Sequence, residues 1–184
     1  MNKAIYHSII MGLLLFFTTC NTNTEQAAAT NDYENSKGQS AVQDEDSQNN
    51  ILQIAINSKD HSTLVAAVQA AGLEDVLVNA GPLTVFAPTN SAFDALPEGT
   101  VEELLKPENK DKLATIIKFH ASPGKYVDDL FKDGMNLFQA TGHYIKVEKG
   151  EDKLNVGGAN VLATVEASNG VVHVVDKVLL PPGN

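Results

Sequence analysis

The order of apolar periodicities predicts an α+β fold. Helix-type patterns fill the first half of the folded region, from Ile51 to about Ser122, and strand-type patterns fill the second. One short β-rich run, Leu83 to Phe86, lies among the helices. Segregation of this kind differs from the strand-helix alternation of a doubly wound sheet.

Each element follows from its residues. Ile51, Leu52, Ile54, Ala55 and Ile56 predict a short buried helix. Asp60 stands where it can cap the next, whose Leu64, Val65, Val68 and Ala71 share one face and which Gly72 stops. Glu74 to Asn79 supports another turn or two, ended by Gly81 and Pro82. After the strand at Leu83 to Phe86, Asn90 to Leu96 reads as a short helix closed by Pro97. Thr100 and Glu103 have capping-box spacing, so a helix is expected to start there and run to Leu105. Asn109 opens a longer helix, stopped at Ser122, Pro123 and Gly124.

The remainder reads as strands. Tyr144 to Lys149 alternates, with Ile145 and Val147 on the apolar side, and Lys153 to Val156 returns after a turn at Gly150. Gly157 and Gly158 make a second turn. Val161 to Glu166 and Val171 to Leu180 are the last strands, joined through Ser168, Asn169 and Gly170. Both faces of the final strand are largely apolar, which predicts a central strand covered on both sides.

Composition narrows the function. The 184 residues, 43% apolar, suffice for one domain with a real core. The net charge is -10 and every cation is a lysine; without arginine, phosphate and base-edge recognition is disfavoured and no nucleic-acid role is expected. The single cysteine, Cys20, excludes an intrachain disulfide.

Cys20 follows Lys3, an apolar run from Ile9 to Phe17 and the small Thr18 and Thr19. That is the layout of a secretory signal, too short for a comfortable permanent span. The position of the cysteine resembles that of a bacterial lipoprotein signal, in which the chain is cut before a cysteine that then carries lipid. Residues 1–19 are therefore read as the signal and Cys20 as the lipidation site. From Asn21 to Gln48 the chain is polar, with acids at Glu25, Asp32, Glu34, Asp44, Glu45 and Asp46 against Lys37 alone. Such a segment buries too little to offset its ordering entropy, so residues 20–48 are read as a lipidated, disordered, acidic tether and 49–184 as the folded domain.

The histidines give little support to chemistry. None has metal-binding H-x-H or H-E-x-x-H spacing, and neither metal nor cofactor is expected. His7 lies in the signal. His61 and His143 read as surface residues. His120 shares a helical face with Leu113, Ile116 and Ile117, which predicts a buried structural histidine in need of a hydrogen-bond partner. His173 and Asp176 are three apart on a strand, so their side chains leave opposite faces. Ser91, at the strand-to-helix joint, lacks the glycines of a nucleophile elbow, and Thr89 or Asn90 is placed to cap the helix that follows.

Three separated segments resemble the fasciclin domain family. Thr84 to Phe93, T-V-F-A-P-T-N-S-A-F, resembles its first signature, through Thr84, Phe86, Pro88, Thr89, Asn90 and Phe93. Phe119 to Gly124, F-H-A-S-P-G, resembles its Tyr-His segment, with His120, Pro123 and Gly124 in place and Phe119 for the Tyr. Asn169 to Leu179 resembles its second signature, including Gly170, His173 and Asp176. The resemblance covers about Asn49 to Pro182. It implies a wedge of two β-sheets with helices packed along it, and an approach of Asn90 to His120 in the core.

The resemblance also implies a function class. Fasciclin domains are mostly extracellular adhesion or interaction modules with no common catalytic site, so no enzyme is expected. The integrin-linked segment of animal members reads Asn109 to Leu113 here, with Lys112 for the Ile, so integrin binding is not carried over. The expectation is an adhesion or interaction module anchored by lipid at a bacterial outer membrane or periplasmic face, or secreted if not lipidated. Its partner would be a protein or glycan at the cell surface or in the periplasm, and the chain itself a monomer. The alternative is a small-molecule or glycan binding protein using the groove of the domain.

Overall fold

The computed structural model describes residues 48–151 and 153–182. His7, Cys20 and all of the tether except Gln48 lie outside the described residues. The helices are α1 (Ile51–Asn57), α2 (Ser62–Ala71), α3 (Glu74–Asn79), α4 (Asn90–Asp94), α5 (Thr100–Leu104) and α6 (Lys110–Phe119). The strands are β1 (Leu83–Pro88), β2 (Ala121–Pro123), β3 (Asn136–Phe138), β4 (Tyr144–Lys149), β5 (Leu154–Val156), β6 (Ala159–Ala167) and β7 (Gly170–Val175).

The strands follow one hydrogen-bonded order, β2-β1-β7-β6-β5-β4-β3. β1 and β7 run parallel and the other pairings are antiparallel. β1 is buried along its whole length and faces two cores. By alternation Leu83, Val85 and Ala87 meet the helices, with Leu64, Val68, Leu113 and Ile117, while Phe86 points the other way to Leu137, Ile145, Val147, Val156 and Val175. The helices, the β1–β7 leaf and the β3–β5 leaf are thus three layers, with the wedge core between the two leaves. The ends of the strand order meet: the Ser122 hydroxyl donates to the Phe138 carbonyl at 2.6 Å, and the Ala140 N–H to the Ala121 carbonyl at 2.7 Å. This α+β wedge with packed helices is the fold expected.

Local details differ from expectation for physical reasons. Asp60 does not cap α2; it lies inside a 3-10 turn, Lys59–His61, and the α2 N-terminus is capped from elsewhere. The capping box expected at Thr100 is absent, because Gly99, at φ 78°, takes the cap position and Thr100 is already helical. The reciprocal box forms at α1 instead, between Asn50 and Gln53, each backbone N–H bonded to the other's side chain at 2.9 Å. The long helix starts after Asn109, whose amide turns to the Glu103 carbonyl, and it stops at Phe119 because 121–123 pair with β1. The last strand ends at Val175, not Leu180. Its partner β1 ends at Pro88, whose successor Thr89 starts the turn into α4, so pairing with β1 stops at Val175.

Candidate functional site

The strand-to-helix joint holds the residues of the first motif, and each has structural work. The Thr84 hydroxyl, fully buried, donates to the Gly124 carbonyl and accepts from the Tyr126 N–H, both at 2.8 Å. It pins the turn after β2, where Gly124 takes φ 104° and donates its N–H to the Pro82 carbonyl. Pro88 closes β1 in the core, Thr89 occupies the α4 cap position through its backbone carbonyl, and Phe93 packs under the helical layer. Ser91 is exposed and its hydroxyl pairs with that of Thr89 at 2.9 Å; among the described residues no histidine bonds to it.

Asn90 does not meet His120. Its carbonyl oxygen accepts the Thr63 N–H at 3.1 Å, and its amide donates to the Lys59 carbonyl at 3.0 Å. Asn90 is therefore the remote cap of α2, satisfying a first-turn donor that Asp60 leaves open. His120 is buried with different partners. Nδ1 donates to the Ile116 carbonyl at 2.8 Å, and Nε2 accepts from the Leu179 N–H at 2.9 Å, which fixes the neutral tautomer. Burial pulls its pKa from 6.5 to about 4, against the weaker pull of the Ile116 bond. The resemblance to a family, and no spacing in the sequence, supplied the Asn90 contact. Leu179, once free of the β7 ladder, offers the donor that His120 accepts.

His173 is wholly buried between the leaves. Nδ1 accepts from the Thr164 hydroxyl and Nε2 donates to the Tyr126 carbonyl, both at 2.9 Å. Its ring stacks on Phe86 with centroids 5.6 Å apart and meets Phe131 edge-on. Burial lowers its pKa, opposed by the Tyr126 bond and the charge of Asp128. Asp176 lies apart, its carboxylate accepting from the Asn160 N–H and amide at 2.8 and 2.7 Å.

His61 is buried, not at the surface: the 3-10 turn folds its ring inward, Nδ1 to the Ser58 hydroxyl at 2.8 Å. Nε2 faces the Ala87 carbonyl without a well-formed hydrogen bond. His143 is exposed beside β4, as expected.

Three residues have structural roles that the sequence reading did not assign. Asn169 accepts the Ile51 N–H at 3.0 Å and donates to the Leu77 and Val78 carbonyls at 2.7 and 3.1 Å, so one amide serves the start of α1 and the end of α3. In the sequence it shows as the Asn-Gly pair of a turn and as the start of the second signature, neither of which names these partners. Ser122 and Gln139 are fully buried, in stretches that carry no periodicity. Beside Asn169, a Cβ on Gly170 would lie 2.0 Å from the Leu83 carbonyl oxygen.

Open space is unevenly distributed. The apolar cavity around His120, Leu52, Val68 and Phe86 holds about 20 Å³, the scale of one water. An open groove of about 540 Å³ lies between β6 and the β4–β5 turn, lined by Lys149, Lys153, Leu162 and Thr164 among others. A second, of about 370 Å³, lies between α4 and α5 beside Asp94, Glu98 and Glu102. Among the described residues no group of His, Cys, Asp or Glu is arranged to hold a metal ion.

The model of the fasciclin domain matches residues 59–181. Protein sll1483 of Synechocystis is 49% identical over 138 residues, which span 74% of this chain and 76% of that protein. Transforming growth factor-beta-induced protein ig-h3 of Sus scrofa is 37% identical over 145 residues, spanning 73% of this chain and 20% of that protein. The solved FAS1 domain pair of the insect cell adhesion molecule Fasciclin I aligns with 22% identity and a TM-score of 0.49, covering 64% of this chain and 43% of that one.

Proposed function

Because the chain belongs to the fasciclin domain family, we propose that it is an extracytoplasmic adhesion or interaction module, held at a bacterial membrane by lipid on Cys20 and a flexible acidic tether. The observation that carries the reading is the use of the motif residues. Thr84, Asn90, His120, Gly170 and His173 all serve the frame, as caps, pins or close-packed backbone. What stays open to a partner is sheet and loop surface, including the exposed Phe138 and Tyr144 pair and the groove beside β6.

The shape of the open space favours a macromolecular partner over a small ligand. Ligand pockets are concave, mostly apolar and some hundreds of Å³ in volume. Here the enclosed apolar cavity is about 20 Å³, and the larger spaces are open and bordered by charge. Catalysis has no support at the joint, where among the described residues the Ser91 hydroxyl bonds only to that of Thr89.

Pull-down with crosslinking and a glycan array, both with the chain presented from its tether, test the reading. Saturable binding of a surface protein or glycan without turnover is expected. Esterase or peptidase turnover that disappears in Ser91→Ala would overturn it. For the anchor, Cys20→Ser is expected to abolish lipid labelling and release the chain from membranes. Soluble partitioning of the unaltered chain would remove the anchor from the proposal.

A further inference from the structure

The middle of β6 lacks a partner on one side. β6 pairs with β7 from Val161 to Ala167, but β5 reaches only Ala159 and Asn160. The Val175 carbonyl accepts from Thr89 N–H, and the Asn169 carbonyl from Leu83 N–H, so the odd-numbered peptide groups of this stretch face β1. Alternation turns those of Val172 and Val174 toward β6, where they meet Val165 and Ala163. The N–H and C=O of Thr164 and Glu166 therefore point to the opposite edge, on which no strand lies among the described residues.

The open groove of about 540 Å³ lies along that edge. Leu162 is 59% exposed and Val165 39%, so the strand is uncovered as well as unpaired. Thr164 and Glu166 share the groove face: Thr164 binds His173, whose other nitrogen holds Tyr126, and Glu166 binds Lys125 next to it. Across the groove, the β4–β5 turn brings Lys149 and Lys153 with Glu151, and Asp128 lies nearby. The Lys149 ammonium is held by the Asp128 carbonyl, whereas that of Lys153 enters no ion pair among the described residues.

We propose that this edge pairs with the same edge of a second copy, β6 antiparallel to β6 about a two-fold axis at Val165. In that register Thr164 of each copy lies opposite Glu166 of the other, and the outward N–H and C=O groups of both residues are satisfied. The same register sets each Glu166 carboxylate over the second copy's groove, toward the unpaired ammonium of Lys153, and symmetry repeats the contact. Residues 49–184 hold 11 lysines against 17 acids, so two copies repel on balance, and this pair of unlike charges favours the edge at which they meet. The pairing departs from the monomer that the sequence suggests. It rests on the interaction-module reading and names a partner for it.

Sedimentation velocity on the full chain carrying Cys20→Ser tests the pairing. A concentration-dependent dimer is expected. Lys153→Glu and Glu166→Lys each turn two attractions into repulsions, and each is expected to weaken the dimer about ten-fold. The double swap is expected to restore it. Hydrogen exchange supplies an independent readout, since the Thr164 and Glu166 amides become protected only in the dimer. A monomer up to about 1 mM, the limit of weak association, would overturn the proposal, as would a dimer in which both amides stay unprotected or the double swap fails to rescue. A monomer that still binds a surface protein or glycan in the assay above would leave the interaction reading standing; a chain inert in both would end it.

Discussion

His120 and Asn90 belong to separate hydrogen-bond sets, and their energetics follow from that. His120→Ala leaves the Leu179 N–H buried and unpaired, a loss of about 1–3 kcal/mol. Asn90→Ala removes the remote cap of α2, a loss of about 1 kcal/mol. The two share no partner, so urea melts of the singles and the double are expected to add within about 0.5 kcal/mol; a strong coupling would mean a contact the geometry lacks. Acid acts on His120 in a defined window. The unfolded chain takes up its proton near pH 6.5 and the folded chain near pH 4, so protons favour unfolding between these values. Stability present above pH 6.5 is lost as pH falls to about 4, by about 3 kcal/mol, and the drop from this group flattens below that. His120→Gln is expected to remove this group's share of the window and leave those of His61 and His173, read as the pH dependence of the urea midpoint. At the exposed Ser91, Ser91→Ala is expected to change stability by less than about 0.5 kcal/mol.

At the scale of elements, the parallel β1–β7 pair is the seam on which both cores depend. Gly170 starts it, opposite Leu83, where any side chain would meet the Leu83 carbonyl. Gly170→Ala is therefore expected to cost at least about 3 kcal/mol, because the contact is with backbone and neither strand can yield without opening the ladder. A Gly170→Ala variant with an unchanged melting midpoint would mean that β7 starts later than described. Asn169 acts just before the seam, and Asn169→Ala frees the Leu77 carbonyl and the Ile51 N–H together. Its loss of about 1–3 kcal/mol should appear with faster exchange in α1 and α3 while β4 and β5 stay protected. Neither apolar alternation nor helical period marks these two neighbours, which read as a turn and stand out only through the second signature.

For the whole molecule, closure and charge set what remains available. The Ser122 and Ala140 bonds seal β2 against the end of β3, which leaves the middle of β6 as the uncovered edge among the described strands. The proposed tether is the acidic, polar stretch 21–48. Limited proteolysis is expected to cut within 21–48 and leave a stable core that begins near Ile51; protection of that stretch would contradict the tether. The folded core should retain the His120-dependent acid transition, because the hydrogen-bond partners of His120, at Phe86, Ile116 and Leu179, all lie within it.

The sequence by itself determined the α+β class, the order of most elements and the buried character of His120. These depend on periods of two and 3.6 residues, which local composition carries. It also carried the family, because three motifs kept their order and spacing. Only the tertiary structure decided the partners. A buried polar group takes whichever complementary group the packing brings within about 3 Å, and those groups came from distant segments: Leu179 for His120, Thr63 for Asn90, Ile51 and Leu77 for Asn169. The same holds for β2 and β3, three residues each, too short to show a period and formed because β1 and β4 offer them an edge.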